Sequence, residues 1–364
     1  MVTRVMIMAG GTGGHVYPGL AVADELKARG AEVIWLGTRE GIESRLVPAA
    51  GIPVAWISIS GLRGKSWLKR LLSPFRLTLA VLQAIQIFLR HRPMAVLGMG
   101  GFVAGPGGLV TWLLRKPLLV HEQNAVVGMT NRLLAPMADR VFEAFPGSFP
   151  RRYRAVSVGN PVRADIYNLD QPNIRLLNRN HKLRLLVVGG SLGANVFNRL
   201  IPDLMASIEQ SVRPQLIHQT GKQHYESTLQ RYKDANIEAE VKPFLDDIAV
   251  SYKWADLVIC RSGALTVSEI AAAGLAAIFV PYPHAVDDHQ TRNAMHLVES
   301  SAALMVADHD VSVNKLKQLI DPLIEDAATG RKRLLAMANK SRQLALPDSA
   351  RQVADAFYQE AKNG

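Results

Sequence analysis

Three stretches of this sequence carry side chains and backbone suited to chemistry. In Gly11-Thr12-Gly13-Gly14-His15 the glycines permit a tight turn, and a histidine stands at the mouth of a helix. Imidazole titrates near neutrality, so a histidine there suits proton transfer; it equally fits a ring that only caps backbone groups. Arg261-Ser262-Gly263-Ala264-Leu265-Thr266-Val267-Ser268-Glu269 opens a second helix with small residues. Its N–H groups can receive a diphosphate, and Glu269, one turn in, can accept two hydrogen bonds from sugar hydroxyls. A capped helix with a solvated glutamate accounts for the same residues more plainly. Pro281-Tyr282-Pro283-His284, then Asp287, Asp288, His289, Gln290 and Asn293, follow a strand end. They are dense in hydrogen-bonding side chains, as a sugar-reading loop requires.

Groups of this kind need a rigid frame, and the sequence supplies it twice. Val5-Met6-Ile7-Met8-Ala9 runs into Gly10-Gly11-Thr12-Gly13-Gly14, and Leu185-Leu186-Val187-Val188 runs into Gly189-Gly190-Ser191-Leu192-Gly193. Each is a short apolar run suited to a buried parallel strand, then a glycine turn, then a helix-compatible stretch. Further strands are expected at Glu32–Leu36, Val54–Ile59, Ala95–Leu97, Leu118–Val120 and Arg140–Phe142. The second half adds Gln215–Gln219, Glu238–Val241, Leu257–Cys260, Ala277–Val280 and Ala302–Val306. Helix-compatible segments alternate with these strands, which predicts an α/β fold of two parallel sheets covered on both faces, facing one cleft. The interiors match too: Val96-Leu97-Gly98-Met99-Gly100-Gly101 parallels Val258-Ile259-Cys260-Arg261-Ser262-Gly263. Gly159-Asn160-Pro161 and the polar segment Asn168–Lys182 separate the halves. The expected division is therefore 1–161 and 162–347, with a last helix at about 348–364 crossing back onto the first domain.

Several familiar motifs are absent. A dinucleotide fingerprint needs a third glycine where Val16 stands, and an acidic residue where the second strand ends at Gly37-Thr38. Gly64-Lys65-Ser66 lacks the leading P-loop glycine, because that position is Ile59. His121-Glu122 begins a zinc-protease motif, yet Ala125 stands where the second histidine belongs. Nothing nearby completes a metal cage around Asp246-Asp247 or Asp287-Asp288. No metal and no cofactor are expected.

The chain has 364 residues, with 42 lysines and arginines against 31 acidic residues, a formal charge of +11. That excess favours polyanionic partners. Much of it lies in Arg63, Lys65, Lys69, Arg70, Arg76, Arg90 and Arg92, interleaved with Trp67, Leu68, Leu71, Leu72, Phe75, Leu79, Leu82 and Phe88. The weakly polar stretch Leu77–Leu89 is 13 residues, too short to span a bilayer. A helix there fits either a surface resting on anionic lipid or a core helix with a solvated basic rim. No recognised motif points to nucleic acid. The single cysteine, Cys260, ends an apolar run and is expected buried and reduced, and no secretion signal is expected.

From the first strand to the last helix the chain resembles glycosyltransferase family 28. The resemblance rests on Gly10-Gly11-Thr12-Gly13-Gly14-His15-Val16-Tyr17-Pro18-Gly19-Leu20-Ala21, Ile59-Ser60-Gly61-Leu62-Arg63-Gly64-Lys65 and Gly98-Met99-Gly100-Gly101-Phe102. His121-Glu122-Gln123-Asn124, Gly159-Asn160-Pro161-Val162-Arg163, Gly189-Gly190-Ser191-Leu192-Gly193-Ala194 and the Arg261–Glu269 run add to it. It implies the GT-B architecture and transfer of N-acetylglucosamine from UDP-N-acetylglucosamine to the C4 hydroxyl of a lipid-linked muramyl-pentapeptide, with inversion. Position by position it implies nucleotide contacts from Arg163, Ser191 and the backbone near Leu245. Ala264, Leu265 and Thr266 would supply amides for the diphosphate, Val267 and Ser268 would also belong to the donor site, Glu269 would hold the ribose, and Gln290 and Asn293 would read the sugar. Thr12, Gly13, Gly14 and Asn124 would face the donor from the first domain. His289-Gln290 stands where the family often has paired glutamines, so Gln290 alone of that pair carries over.

The reaction that the resemblance implies needs a base beside the attacking hydroxyl, for which His15 is the choice; Glu122 and Asp287 stay open. It also implies an anionic membrane surface as partner, at the cytoplasmic face of the bacterial inner membrane, and contacts with other cell-wall or division proteins. Two other classes remain: a GT-B enzyme with a different acceptor, and a nucleotide-sugar sensor without turnover.

Overall fold

A computed structural model of the chain describes residues 3–59, 73–177, 179, 181–190, 193–324 and 326–363. Ser191 lies outside these residues, as do Arg63, Lys65, Trp67, Lys69 and Arg70. The chain divides into two compact units, residues 1–162 with 346–364, and residues 163–345.

In the first unit the strands are β1 (Arg4–Met8), β2 (Glu32–Gly37), β3 (Val54–Trp56), β4 (Ala95–Gly98), β5 (Leu118–Glu122), β6 (Arg140–Glu143) and β7 (Val156–Ser157). They pair in parallel in the order β3-β2-β1-β4-β5-β6-β7. Successive side chains of a strand point to opposite faces, and both faces here are covered. Val5, Ile7 and Ala9 pack with Val33, Trp35, Leu97 and Leu119 on one face, under the helices Gly13–Ala28 and Ser349–Asn363. Met6 and Met8 turn the other way, with Ile34, Leu36, Val96 and Val120, toward the helices Ser73–His91 and Ala104–Leu113.

Helix Gly13–Ala28 buries Val16, Gly19, Val22, Ala23 and Leu26, the spacing of one helical face. Gly19 lets it approach the sheet: a Cβ there would lie 2.7 Å from the Trp35 ring. Helix Ser349–Asn363 lies beside it, tied by Arg29–Asp355 at 2.6 Å and to the sheet by Arg140–Glu360 at 2.9 Å.

The second unit has β8 (Arg184–Val188), β9 (Gln215–Gln219), β10 (Glu240–Lys242), β11 (Leu257–Cys260), β12 (Ala276–Phe279) and β13 (Ala303–Met305). Their order is β10-β9-β8-β11-β12-β13, again all parallel. Leu185, Val187, Leu257, Ile259 and Ile278 pack against Phe197, Ile201, Leu204, Leu316 and Ile320 of the helices Asn195–Ala206 and Val313–Ile324. Cys260 is fully buried.

Both sheets therefore reverse winding direction at one place, between β1 and β4 and between β8 and β11. In open α/β sheets ligands bind outside the strand C-termini at this switch point. The glycine turns after β1, β4 and β8, and the Arg261-Ser262-Gly263 turn after β11, all stand there.

Candidate active site

In the first unit the chain leaves β1 through Gly10 and Gly11, the latter at φ +92°. Two side chains hold this exit. The Trp35 indole N–H donates to Ala9 O at 2.8 Å. The buried Glu43 carboxylate accepts from Gly11 N at 3.0 Å, and from Thr38 N and Oγ1 at 3.0 and 2.7 Å. Glu43 thus pins the turn to the end of β2, a role that sequence reasoning missed. A carboxylate five residues beyond Thr38, opening the next helix, was the only available sign.

Thr12 then caps the helix in extended conformation, without a side-chain capping bond, and is exposed. His15 follows in the first turn, half-buried. Its Nδ1 lies 2.7 Å from Gln123 Oε1. Gln123 Nε2 lies 2.9 Å from His121 Nδ1 and 3.0 Å from His121 O, and His121 Nε2 lies 2.9 Å from Gly159 O. Burial pushes the His121 pKa down to about 4, so this ring is neutral at pH 7. Gly100, at φ +96°, backs the catalytic candidate: a Cβ there would sit 3.0 Å from His15 Cε1.

Glu122 is buried, and its carboxylate is engaged on both oxygens. Oε1 accepts from Asn124 N and Nδ2 at 2.9 and 3.2 Å; Oε2 accepts from Gly128 N and Asn131 Nδ2 at 3.0 and 2.9 Å. Such a saturated carboxylate organises the 122–131 turn and holds Asn124 beside Gln123. Thr12, Gly13, Gly14, His15 and Asn124 share the strand C-terminal edge of this unit.

In the second unit Gly189 and Gly190 lead to Gly193, at φ +78° and packed against the Thr220 backbone. Asn198 Nδ2 donates to Thr220 O at 3.0 Å, and Gln219 Nε2 to Gly190 O at 3.1 Å, which closes this turn from both sides. After β11, helix Ala264–Ala273 starts at Gly263 with no side-chain cap, and its first intrahelical bond is Val267 N to Gly263 O at 3.0 Å. The amide groups of the Ala264–Thr266 turn thus precede the ladder, the arrangement that attracts anions. Ser268 Oγ folds back on Ala264 O at 3.0 Å, whereas Val267 is buried core.

Glu269 accepts from Tyr252 Oη at 3.1 Å. Burial raises its pKa from 4.5 to about 7, opposed by the positive charge of Arg163 and by the Tyr252 hydrogen bond. Arg163 itself is partly exposed, with a loose Asp165 pair at 3.8 Å. Leu245 has its side chain buried just before helix Ile248–Trp254, which Asp247 caps through Val250 N.

Arg261 is a strut. Its guanidinium donates to Val280 O and Pro281 O at 3.0 Å each, pairs with Asp308, and lies over the Phe197 and Tyr282 rings. It holds the loop after β12, where Gln290 Oε1 accepts from Tyr282 N at 2.9 Å. Asn293 is fully buried, and its Nδ2 donates to Ser262 O at 3.2 Å. That bond ties helix His289–Val298 to the turn that opens the Ala264 helix.

Residues 5–143 match the glycosyltransferase family 28 N-terminal domain, and residues 184–353 match its C-terminal domain. The chain belongs to glycosyltransferase family 28. It is 52% identical over 355 residues to a protein of Nitrosococcus oceani, covering 98% of each chain. That relative is named UDP-N-acetylglucosamine–N-acetylmuramyl-(pentapeptide) pyrophosphoryl-undecaprenol N-acetylglucosamine transferase. A Marinobacter nauticus protein of the same name is 51% identical over 361 residues, 99% of this chain and 98% of that one. Among solved structures, MurG of Acinetobacter baumannii superimposes with a TM-score of 0.85 at 41% identity, covering 98% of this chain and 99% of that one. The GT-B architecture and the two Rossmann-like sheets expected from the sequence are thus shown.

Proposed function

We propose that this chain transfers N-acetylglucosamine from UDP-N-acetylglucosamine to the C4 hydroxyl of undecaprenyl-diphosphate-linked muramyl-pentapeptide, inverting the anomeric carbon. The observation that carries this reading is the 52% identity, over 98% of both chains, with a transferase named for it. The local geometry supplies the chemistry. His15 Nε2 accepts the proton of the C4 hydroxyl as that oxygen bonds to the anomeric carbon. The bond from that carbon to the UDP oxygen breaks, and its electron pair leaves with the diphosphate. Amides of the Ala264–Thr266 turn meet the growing charge without reorganising. Glu269 takes the ribose hydroxyls, Arg163 and the backbone near Leu245 take the nucleotide, and Ser191 adds a hydroxyl. Gln290, released from Tyr282 N, reads the sugar, and Asn293 keeps the turn beneath it in place. Thr12, Gly13, Gly14 and Asn124 line the edge beside His15, and the Gly98–Gly108 segment takes the acceptor diphosphate.

The acceptor's lipid tail calls for a membrane contact, and the first unit has an apolar surface for it. Phe75, Leu77, Leu79, Leu82 and Leu89 are exposed on helix Ser73–His91, beside Arg76 and Arg90. Trp112, Leu113 and Leu114 are also exposed, at the end of helix Ala104–Leu113, which packs against helix Ser73–His91, and are followed by Arg115 and Lys116. Sequence reasoning missed these three residues. Among the described residues no helix is long and apolar enough to cross a membrane. The patch suits a peripheral contact with anionic lipid at the cytoplasmic face of the inner membrane.

Incubating the protein with UDP-N-acetylglucosamine and the lipid-linked muramyl-pentapeptide tests the reading. The expected product carries one added hexosamine. Donor binding without transfer would make the protein a sensor, and transfer only to another lipid would replace the acceptor. His15→Ala is expected to lower turnover roughly 10²- to 10⁴-fold with donor affinity unchanged; near-normal turnover would remove His15 as the base.

A further inference from the structure

We propose that Gln123 and His121 are positioning residues that fix the proton of neutral His15 on Nδ1, leaving Nε2 as the basic lone pair. Donor and acceptor roles run outward from a backbone carbonyl. Gly159 O can only accept, and it receives Ser349 Oγ at 2.8 Å as well as His121 Nε2 at 2.9 Å. His121 Nε2 therefore carries a proton. Its ring is buried and neutral, so Nδ1 holds a lone pair.

Gln123 Nε2 faces two acceptors, that lone pair and His121 O. Both amide hydrogens are spent there, and the flipped amide would set its oxygen against two acceptors. Gln123 Oε1 is left facing His15 Nδ1 at 2.7 Å, which must then be N–H. Among the described residues nothing hydrogen-bonds to His15 Nε2. Asn160 Nδ2 donates to the backbone carbonyl of Gln123 at 3.0 Å, and Gly100 closes the Nδ1 side of the ring. The second nitrogen of a histidine is commonly oriented by what its first one touches. Here a neutral amide, referenced to a backbone carbonyl through a second buried imidazole, does so. Because Ser349 opens the last helix, the chain's C-terminal element shares the anchor.

The catalytic consequence rests on His15 being the base; the tautomer itself does not. The test uses the full-length protein with ¹⁵N-labelled histidine. Long-range imidazole ¹H–¹⁵N spectra are recorded at about pH 8.5, where imidazoles are ordinarily neutral. The His15 signals are assigned by their loss in His15→Ala. The expected result is a protonated Nδ1 and an unprotonated Nε2 at His15 in the wild type. Gln123→Leu is expected to shift His15 toward the opposite tautomer and to lower kcat roughly 10- to 100-fold with both KM values unchanged. A wild-type His15 protonated on Nε2 overturns the proposal, even if no variant folds. So does a folded Gln123→Leu protein with the tautomer unchanged, or one whose loss lies in KM. Normal turnover by His15→Ala would instead defeat the base assignment while leaving the spectra to decide the tautomer.

Discussion

Glu269 should make donor binding release protons. Its carboxyl has a pKa of about 7 in the empty protein because burial disfavours the charge more than Arg163 and Tyr252 restore it. Ribose hydroxyls donating to the carboxylate favour the ionised form, returning it toward the ordinary value of about 4.3. The sign follows: the empty protein holds the proton below pH 7, and the complex does not. Binding should then release about 0.1 proton at pH 8, about 0.5 at pH 7 and about 0.9 at pH 6. Affinity should fall about twofold at pH 7 and about tenfold at pH 6, relative to alkaline solution. The donor's diphosphate diester stays fully ionised across this range and adds nothing. Isothermal calorimetry in buffers of differing ionisation enthalpy reads the proton count directly. Glu269→Gln should bind more weakly at pH 8 and lose both the proton release and the pH dependence. Replacing His284 and His289 by asparagine serves as the control for the loop after β12. A wild-type protein that binds with equal affinity and no buffer effect from pH 6 to 8 would refute the reasoning.

The buried histidines should make the fold sensitive to acid. His121 and His218 have pKa values lowered by burial to about 4 and about 3. Each therefore supports the fold above pH 6.5 and withdraws about 2–3 kcal/mol as pH falls toward 4; urea midpoints across that range report it, and either ring titrating near 6.5 in NMR spectra would contradict it. Gly193→Ala should destabilise the second unit by more than about 1 kcal/mol, since a Cβ at φ +78° would strike the Thr220 backbone; calorimetric unfolding unchanged from wild type would show that the turn can shift. Phe75→Ser combined with Trp112→Ser should weaken sedimentation with anionic vesicles at least tenfold while sparing donor binding. Unchanged vesicle binding would place the membrane contact elsewhere.

Much of the frame was legible because both faces of each sheet are covered. A strand such as Val5–Met8 or Leu257–Cys260 then reads as an unbroken apolar run bounded by glycine or a polar turn. Strand β7 escaped notice: Val156 and Ser157 are two exposed residues at an edge, with no run to detect. The expected strand at Val54–Ile59 stops its ladder at Trp56, and the one at Glu238–Val241 sits later, at Glu240–Lys242. Short edge strands are defined by their partners more than by their own residues.

The site divides along the same line. Local sequence determined where the glycine turns fall, that His15 stands at the mouth of a helix, and that small residues open the Ala264 helix. These are properties of neighbours in the chain, set by φ/ψ freedom and helix-end chemistry. Only tertiary structure decided that Gln123 meets His15 across 108 positions, that Glu43 reaches back to Gly11, and that Glu122 is consumed by its own turn. It also decided that burial lifts the Glu269 pKa while lowering that of His121. Protonation state, tautomer and saturation depend on which groups and how much water surround an atom, and no spacing in the sequence records that.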